Sequence, residues 1–183
     1  NTGIPTSTIT YDINPGTLFN VGTTTVTATA TNPVGSDQCS FTVTVVDNEA
    51  PMAICQDVTV MLDANGNGSI TAVQVDGGST DNCGVTSLSV SPSSFTCSEV
   101  GANTATLTVS DAAGNTSTCT VNVTVQDNVA PVAVCQDITV QLDANGTATI
   151  TAIDIDGGST DACGIANLMI NNNSFSCSDI GGN

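Results

Sequence analysis

The sequence predicts an all-β chain of tandem β-sandwich domains, disulfide-stapled and arranged end to end, and three observations carry that expectation. Apolar and polar residues alternate in short runs such as TATLTV (104–109) and TVNVTV (120–125), the period of a strand with one buried face. Clusters of Gly, Asn and Asp separate those runs as turns. Finally, DNEAPMAICQDVTVMLDANG, starting at Asp47, returns as DNVAPVAVCQDITVQLDANG, starting at Asp127, and self-similarity at a fixed period marks a series of like units.

The period is 80 residues, and 33 of 57 positions are identical between 47–103 and 127–183, so duplication rather than shared composition explains it. SDQCSFTVTVVDN, ending at Asn48, aligns with STCTVNVTVQDN, ending at Asn128. Residues 1–46 therefore read as the C-terminal part of a divergent repeat, 47–126 as a complete repeat, and 127–183 as the N-terminal part of a further one. That last part is either continued along a longer chain or completed by another one. In the second case residues 24–46 of one copy supply the missing strands to residues 127–183 of the next. Within 47–126 the expected strands are DVTVML (57–62), SITAVQV (69–75), VTSLSV (85–90), TATLTV and TVNVTV, separated by DANGNG, DGGSTDNCG, SPSS and DAAGN. Strands at that spacing indicate an immunoglobulin-like sandwich, with no helix of any length.

Composition narrows the function. The chain has no Lys, Arg or His and 17 acidic residues, so it repels phosphate backbones and anionic membrane surfaces. Nucleic acid is excluded as a partner, and no apolar run is long enough for direct membrane insertion. Catalysis is not expected either. There is no His or Lys base, Tyr11 is the single tyrosine, and the candidate acid pair Asp76 and Asp81 sits on a repeated loop, so the reading is no enzyme and no catalytic residue.

Eight cysteines in a Thr-, Val- and Ser-rich chain point to an oxidising, extracellular or cell-surface location. An 80-residue repeat with almost no aromatic core buries little surface, and disulfides are the expected remedy. Four cysteines per repeat allow three connectivities. If the first and last strands lie side by side in parallel, Cys55 meets Cys119, and Cys83 then pairs with Cys97 across a short loop, as Cys163 does with Cys177. Cys39 and Cys135 are left without partners. A Cys39–Cys55 bridge across the repeat boundary is the competing possibility.

With CQDVTV, DNCG, the DAAGN turn, CTVNVTV and DNVAP in view, the repeat resembles the hyalin-repeat (HYR) domain, in particular the tandem versions of giant cell-surface adhesins of Bacteroidota-type bacteria. The segment GTLFNVGTTTVTATATNPVGSDQCSFTVTVVDNEAP resembles the ordinary hyalin repeat most closely. The resemblance implies immunoglobulin-like modules strung in series, with roles in adhesion and extracellular structure. The DN-x-AP junction also resembles cadherin linkers, in which calcium stiffens successive domains.

Carboxylates with no cationic side chain to meet must stay solvated or gather around an inorganic cation. Tracing the expected strands from pole to pole brings Asp47, Asn48, Asp76, Asp81 and Asp111, with Asn115, to one end of the middle repeat. Asp127, Asn128, Asp156 and Asp161 gather likewise at the next boundary, joined by Asp63 from the LDANG turn below. Such oxygen-rich clusters suit calcium, although Asp and Asn are also ordinary turn residues that bond their own backbone. The expected function is a structural and adhesive extracellular repeat forming a stalk or filament, stiffened by calcium at the junctions. Its partners are neighbouring repeats or copies of the same chain. The alternative is a module that binds a surface glycan or protein.

Overall fold

The computed structural model describes residues 6–181. Eleven strands and one short helix follow in order: β1 (Thr8–Tyr11), β2 (Gly22–Asn32), β3 (Gly35–Val45), β4 (Val58–Met61), β5 (Asn67–Ser69), α1 (Ala72–Val75), β6 (Val85–Ser91), β7 (Ser94–Thr96), β8 (Gly101–Asp111), β9 (Thr116–Gln126), β10 (Thr147–Thr149) and β11 (Ser174–Ser176). The chain is all-β, and among the described residues helix is limited to α1 and single 3₁₀ turns. No helix among the described residues is long and apolar enough to cross a membrane.

The middle repeat holds the core. Its main sheet has the order β4-β9-β8-β6, with β4 parallel to β9 and the other pairs antiparallel. Alternation along β8 and β9 turns Ala105, Leu107, Val109, Val121, Val123 and Val125 inward, all essentially buried. Each large apolar side chain so buried contributes about 1.5–3 kcal/mol. The facing layer is made of shorter pieces: the β5–β7 pair, α1, and residues 52–55 bridged to 76–80. Phe95, Val75 and Ile70 from that layer, with Leu62 just beyond β4, fill the space against the sheet.

One expected strand is different. Alternation in SITAVQV predicts a strand over 69–75, yet β5 stops at Ser69 and residues 72–75 make a helical turn. Thr71 and Gln74 form a reciprocal capping box in which the Gln74 carboxamide oxygen accepts from the Thr71 N–H at 2.8 Å. That local pairing satisfies backbone groups that a strand would have left to a neighbour, and it seats Val75 in the core without exposure.

Residues 8–45 form a separate three-stranded sheet, β1-β2-β3, whose β3 edge carries no further strand among the described residues. Residues 147–149 and 174–176 pair as β5 and β7 do, in the same register. The stretch 138–141, counterpart of β4, forms no strand and leaves Ile138 and Val140 exposed. Val60 of β4 is buried because β9 lies beside it.

Two disulfides close the structure. Cys55 bonds Cys119, across the parallel β4 and β9, with Cα atoms 5.9 Å apart. The second corrects the expected pairing: Cys97 bonds Cys163 of the next repeat, with Cα atoms 5.0 Å apart, so neither Cys83–Cys97 nor Cys163–Cys177 forms. The reason is the course of β6. Its seven residues carry the chain about 23 Å from the Cys83 pole, and the three-residue β7 does not bring it back. Cys39, Cys83, Cys135 and Cys177 are free and exposed.

Candidate functional site

The DGGSTD loop explains how similar acids end in different roles. The N–H of Gly77 donates to the Ile54 carbonyl at 2.8 Å, and a Cβ on Gly77 would lie 3.1 Å from the Cys55 carbonyl oxygen. Glycine is needed there because the two backbones touch. Asp76 turns back on its own loop: Oδ1 accepts from the Ser79 N–H at 2.9 Å and the Ser79 hydroxyl at 2.6 Å. Those bonds hold the Asp76 carboxyl below its ordinary range, the hydroxyl first. Ser79 Oγ in turn accepts from the Ile54 N–H at 3.0 Å. Asp156 repeats the arrangement, with Oδ1 accepting from the Ser159 N–H at 2.9 Å, and its carboxyl is lowered for the same reason.

Asp81 is placed otherwise. One oxygen, Oδ2, accepts from the N–H groups of Cys83 and Gly84 at 2.7 and 2.9 Å. The other, Oδ1, is buried without a hydrogen-bond partner. In the next repeat Asp161 Oδ1 accepts from the Cys163 N–H at 2.8 Å, and Oδ2 is the buried orphan. The linker acids come to the same place. Ligand atoms of Asp47, Asp81 and Cys83 lie within 4.8 Å of one another, as do those of Asp127, Asp161 and Cys163. A hydrogen bond to Asp47, then desolvation and the surrounding carboxylates, raise the Cys83 thiol above its usual range. Cys163 offers only a disulfide sulfur, so carboxylates carry both sites.

The other expected members sit around these pairs or apart from them. Asp111 is buried and closes its own hairpin, accepting from the N–H groups of Gly114 and Asn115 at 2.7 and 2.8 Å. Desolvation pushes its carboxyl up, yet the bonds from Asn115, Gly114 and Ala113 together outweigh it and hold it low. Asn115 ties that hairpin to the linker, donating to the Asp47 carbonyl at 3.2 Å. Asp63 closes the LDANG turn through the N–H groups of Asn65 and Asn67, at 2.8 and 3.0 Å, instead of joining the Asp127 cluster. Asn48 and Asn128 are exposed, and the Asn128 amide reaches Met61 Sδ at 3.2 Å.

Three participants were not foreseen from the sequence. Glu49 accepts from the Asn82 amide at 2.5 Å, linking the first boundary to the loop. At the second boundary those positions are Val129 and Ala162. There a Cβ on Gly66 would lie 3.4 Å from the Ala162 Cβ and 2.5 Å from Cys97 Sγ. The turn glycine of one repeat thus makes room for the bridge to the next.

The comparisons fit the N-terminal sheet to a class of module. Residues 1–45 match the HYR domain family, and HYR domains are extracellular, adhesion-like modules. No protein of curated function matches the sequence. Among solved structures, the chain is similar to an endo-fucoidan hydrolase of glycoside hydrolase family 107, at 18% identity and a TM-score of 0.29. That match covers 67% of this chain and 24% of the hydrolase, so the chain spans about a quarter of the protein it matches. A likeness so slight carries no argument about chemistry. The exclusion of enzymes drawn from the missing His and Lys is nonetheless not upheld, the structure matched being that of a hydrolase. Lack of basic side chains describes this stretch and does not decide the activity of a larger protein containing it.

Proposed function

We propose that the chain is a structural and adhesive repeat of an extracellular stalk or filament, of the kind its resemblance to bacterial surface adhesins implies, with calcium stiffening the junctions. The supporting observation is the orphaned carboxylate oxygen at the same position of two repeats, Asp81 Oδ1 and Asp161 Oδ2, each beside a linker acid. A buried acceptor without a partner costs about 1–3 kcal/mol, and the chain holds no Lys, Arg or His to supply a cation. Calcium accepts six to eight oxygens in flexible geometry. Asp47 with Asp81, and Asp127 with Asp161, would provide side-chain ligands, with water or backbone carbonyls completing each shell. Bound there, an ion fixes the linker to the loop of the repeat that follows it.

Calcium titration by calorimetry, combined with small-angle scattering with and without EDTA, tests the reading. Expected are two binding events, one lost in D81N and the other in D161N, together with a broader distribution of particle lengths in EDTA. Unchanged scattering and melting on chelation would sink the calcium reading, since a ligand specific to the folded state must raise its stability.

A further inference from the structure

The two junctions carry the same carboxylates but hold them by different ties. Asp47 Oδ1 accepts from the Glu49 N–H at 3.1 Å and Asp127 Oδ1 from the Val129 N–H at 3.0 Å, so the linker acid is set alike at both. Each stands beside a loop aspartate with one oxygen shut off from solvent and unpartnered, Asp81 Oδ1 at the first junction and Asp161 Oδ2 at the second. At the first, the Asn82 amide donates to the Glu49 carboxylate and fastens the loop to its linker. The second loop cannot repeat that bond, because Val129 and Ala162 occupy those positions.

A covalent tie stands there instead. Cys163, two residues beyond Asp161, is bonded to Cys97 of the preceding repeat. Its N–H donates to Asp161 Oδ1 at 2.8 Å, and its sulfur lies within 4.8 Å of carboxylate oxygens of both Asp127 and Asp161. The segment is seated on the turn of the repeat before it, where a Cβ on Gly66 would lie 3.4 Å from the Ala162 Cβ and 3.7 Å from Cys163 Sγ. The bridge therefore fixes the residue that fixes Asp161. Carboxylates held close oppose one another, so an ion binds most tightly where the chain has already gathered them.

We propose that the Cys97–Cys163 bridge is the positioning element of the second calcium site, and that calcium and the bridge stabilise one another. The inference rests on the calcium reading above and adds that the two sites answer to different controls, the first to the Glu49–Asn82 contact and the second to redox state. Opening the bridge releases the Asp161 loop from the preceding repeat, the ion itself must then gather the carboxylates, and affinity falls. By linkage, calcium makes the bridge harder to open by the same factor. A dithiol opens it in two exchanges. One dithiol thiolate attacks a bridge sulfur and expels the other cysteine as thiolate, and the second dithiol thiolate then attacks the mixed disulfide and expels the first cysteine. The dithiol leaves as a cyclic disulfide, having given two electrons to the bridge and two protons to the cysteine thiolates.

The test has two arms, both on the 183-residue chain. Calcium calorimetry compares the wild type with C97S/C163S, with E49V/N82A, and with C97S/C163S that also carries V129E/A162N. In C97S/C163S the binding event lost in D161N weakens by roughly tenfold or more, while the event lost in D81N is unmoved. E49V/N82A does the reverse. V129E/A162N restores the second event without the bridge, which a variant that merely failed to fold would not allow. The second arm is equilibrium reduction in a dithiothreitol redox buffer with calcium or with EDTA, read by mass mapping of the bridged peptides. Calcium raises the reduced-to-oxidised dithiol ratio at which Cys97–Cys163 is half open, by the factor found in calorimetry, and the Cys55–Cys119 bridge serves as the internal control. An oxidised wild type that takes up no calcium sinks the calcium reading and this inference with it. Calcium binding that is equally tight in the wild type and C97S/C163S, or a half-opening ratio indifferent to calcium, overturns this inference alone.

Discussion

Removing the Cys55–Cys119 bridge by C55S/C119S is the most quantitative test of how the middle repeat stays folded. The bridge closes a sequence separation of 64 residues, which in the chain-entropy model corresponds to about 14 cal/mol/K, or about 4 kcal/mol at 25 °C. An 80-residue unit at typical stability per residue has about 4–12 kcal/mol in all, so the loss removes a third or more of it. Urea and thermal unfolding followed by circular dichroism are the assay, with an expected fall in Tm of tens of degrees, since about 4–8 °C accompanies each kcal/mol in a domain this small. The control is C97S/C163S, whose separation of 66 residues gives nearly the same entropy. That bridge joins two repeats and does not close the core, so its loss should expose residues 127–181 to hydrogen exchange while β8 and β9 stay protected. A cost below about 1 kcal/mol for C55S/C119S would refute the reasoning, as would equal loss of β8–β9 protection in both variants.

Two further outcomes follow from packing and from pH. Gly68 sits over Val60 and Leu62, where an added Cβ would collide with Val60 Cγ1 and lie 3.1 Å from Leu62 Cδ2. Urea unfolding should show G68A destabilised by about 1–3 kcal/mol, the usual cost of overpacking, and an unchanged midpoint would contradict the placement of β5. Asp57, Asp63 and Asp143 are all held below the ordinary carboxylate range by accepted hydrogen bonds, led by Asn122 for the first and by the N–H groups of Asn67 and Thr147 for the others. A lowered folded-state pKa means stability that is present above the unfolded value, about 4, and is lost as pH falls through the folded one. Relief of repulsion among 17 acids acts in the opposite sense but is screened at about 0.15 M salt. Under those conditions stability should decline below about pH 4, and a rise on acidification in a urea series would show that repulsion dominates.

The long strands were legible because alternation on β8 and β9 is unbroken and both faces have clear assignments, one buried and one wet. The turn after β5 was not, since Val73 and Val75 alternate as well as any strand residues, and only the Thr71–Gln74 spacing carried the capping signal. Cysteine spacing within one repeat carries no sign of a bridge that leaves Cys97 for the next. Among the acids, Asp76 and Asp81 look alike in sequence. Ser79, three residues beyond Asp76, occupies Asp76, while Asp81 keeps one oxygen unbonded. Glu49 and Asn82 gave no signal because neither belongs to a recurring pattern.

The bridge from Cys97 to Cys163 also sets how far the molecule can be drawn out. Along the backbone, Cys163 is 108 positions beyond Cys55, but through the two bridges the covalent route crosses from Cys55 to Cys119, runs back to Cys97, 22 positions, and crosses to Cys163. At about 3.5 Å per residue, full extension of that span is roughly 80 Å, against roughly 380 Å for the unbridged chain. Even with every strand torn from its neighbours, tension applied at the two ends would meet a short covalent leash that runs backwards through β8, while β4 to β7, lying on the longer route from Cys55 to Cys97, would stay slack.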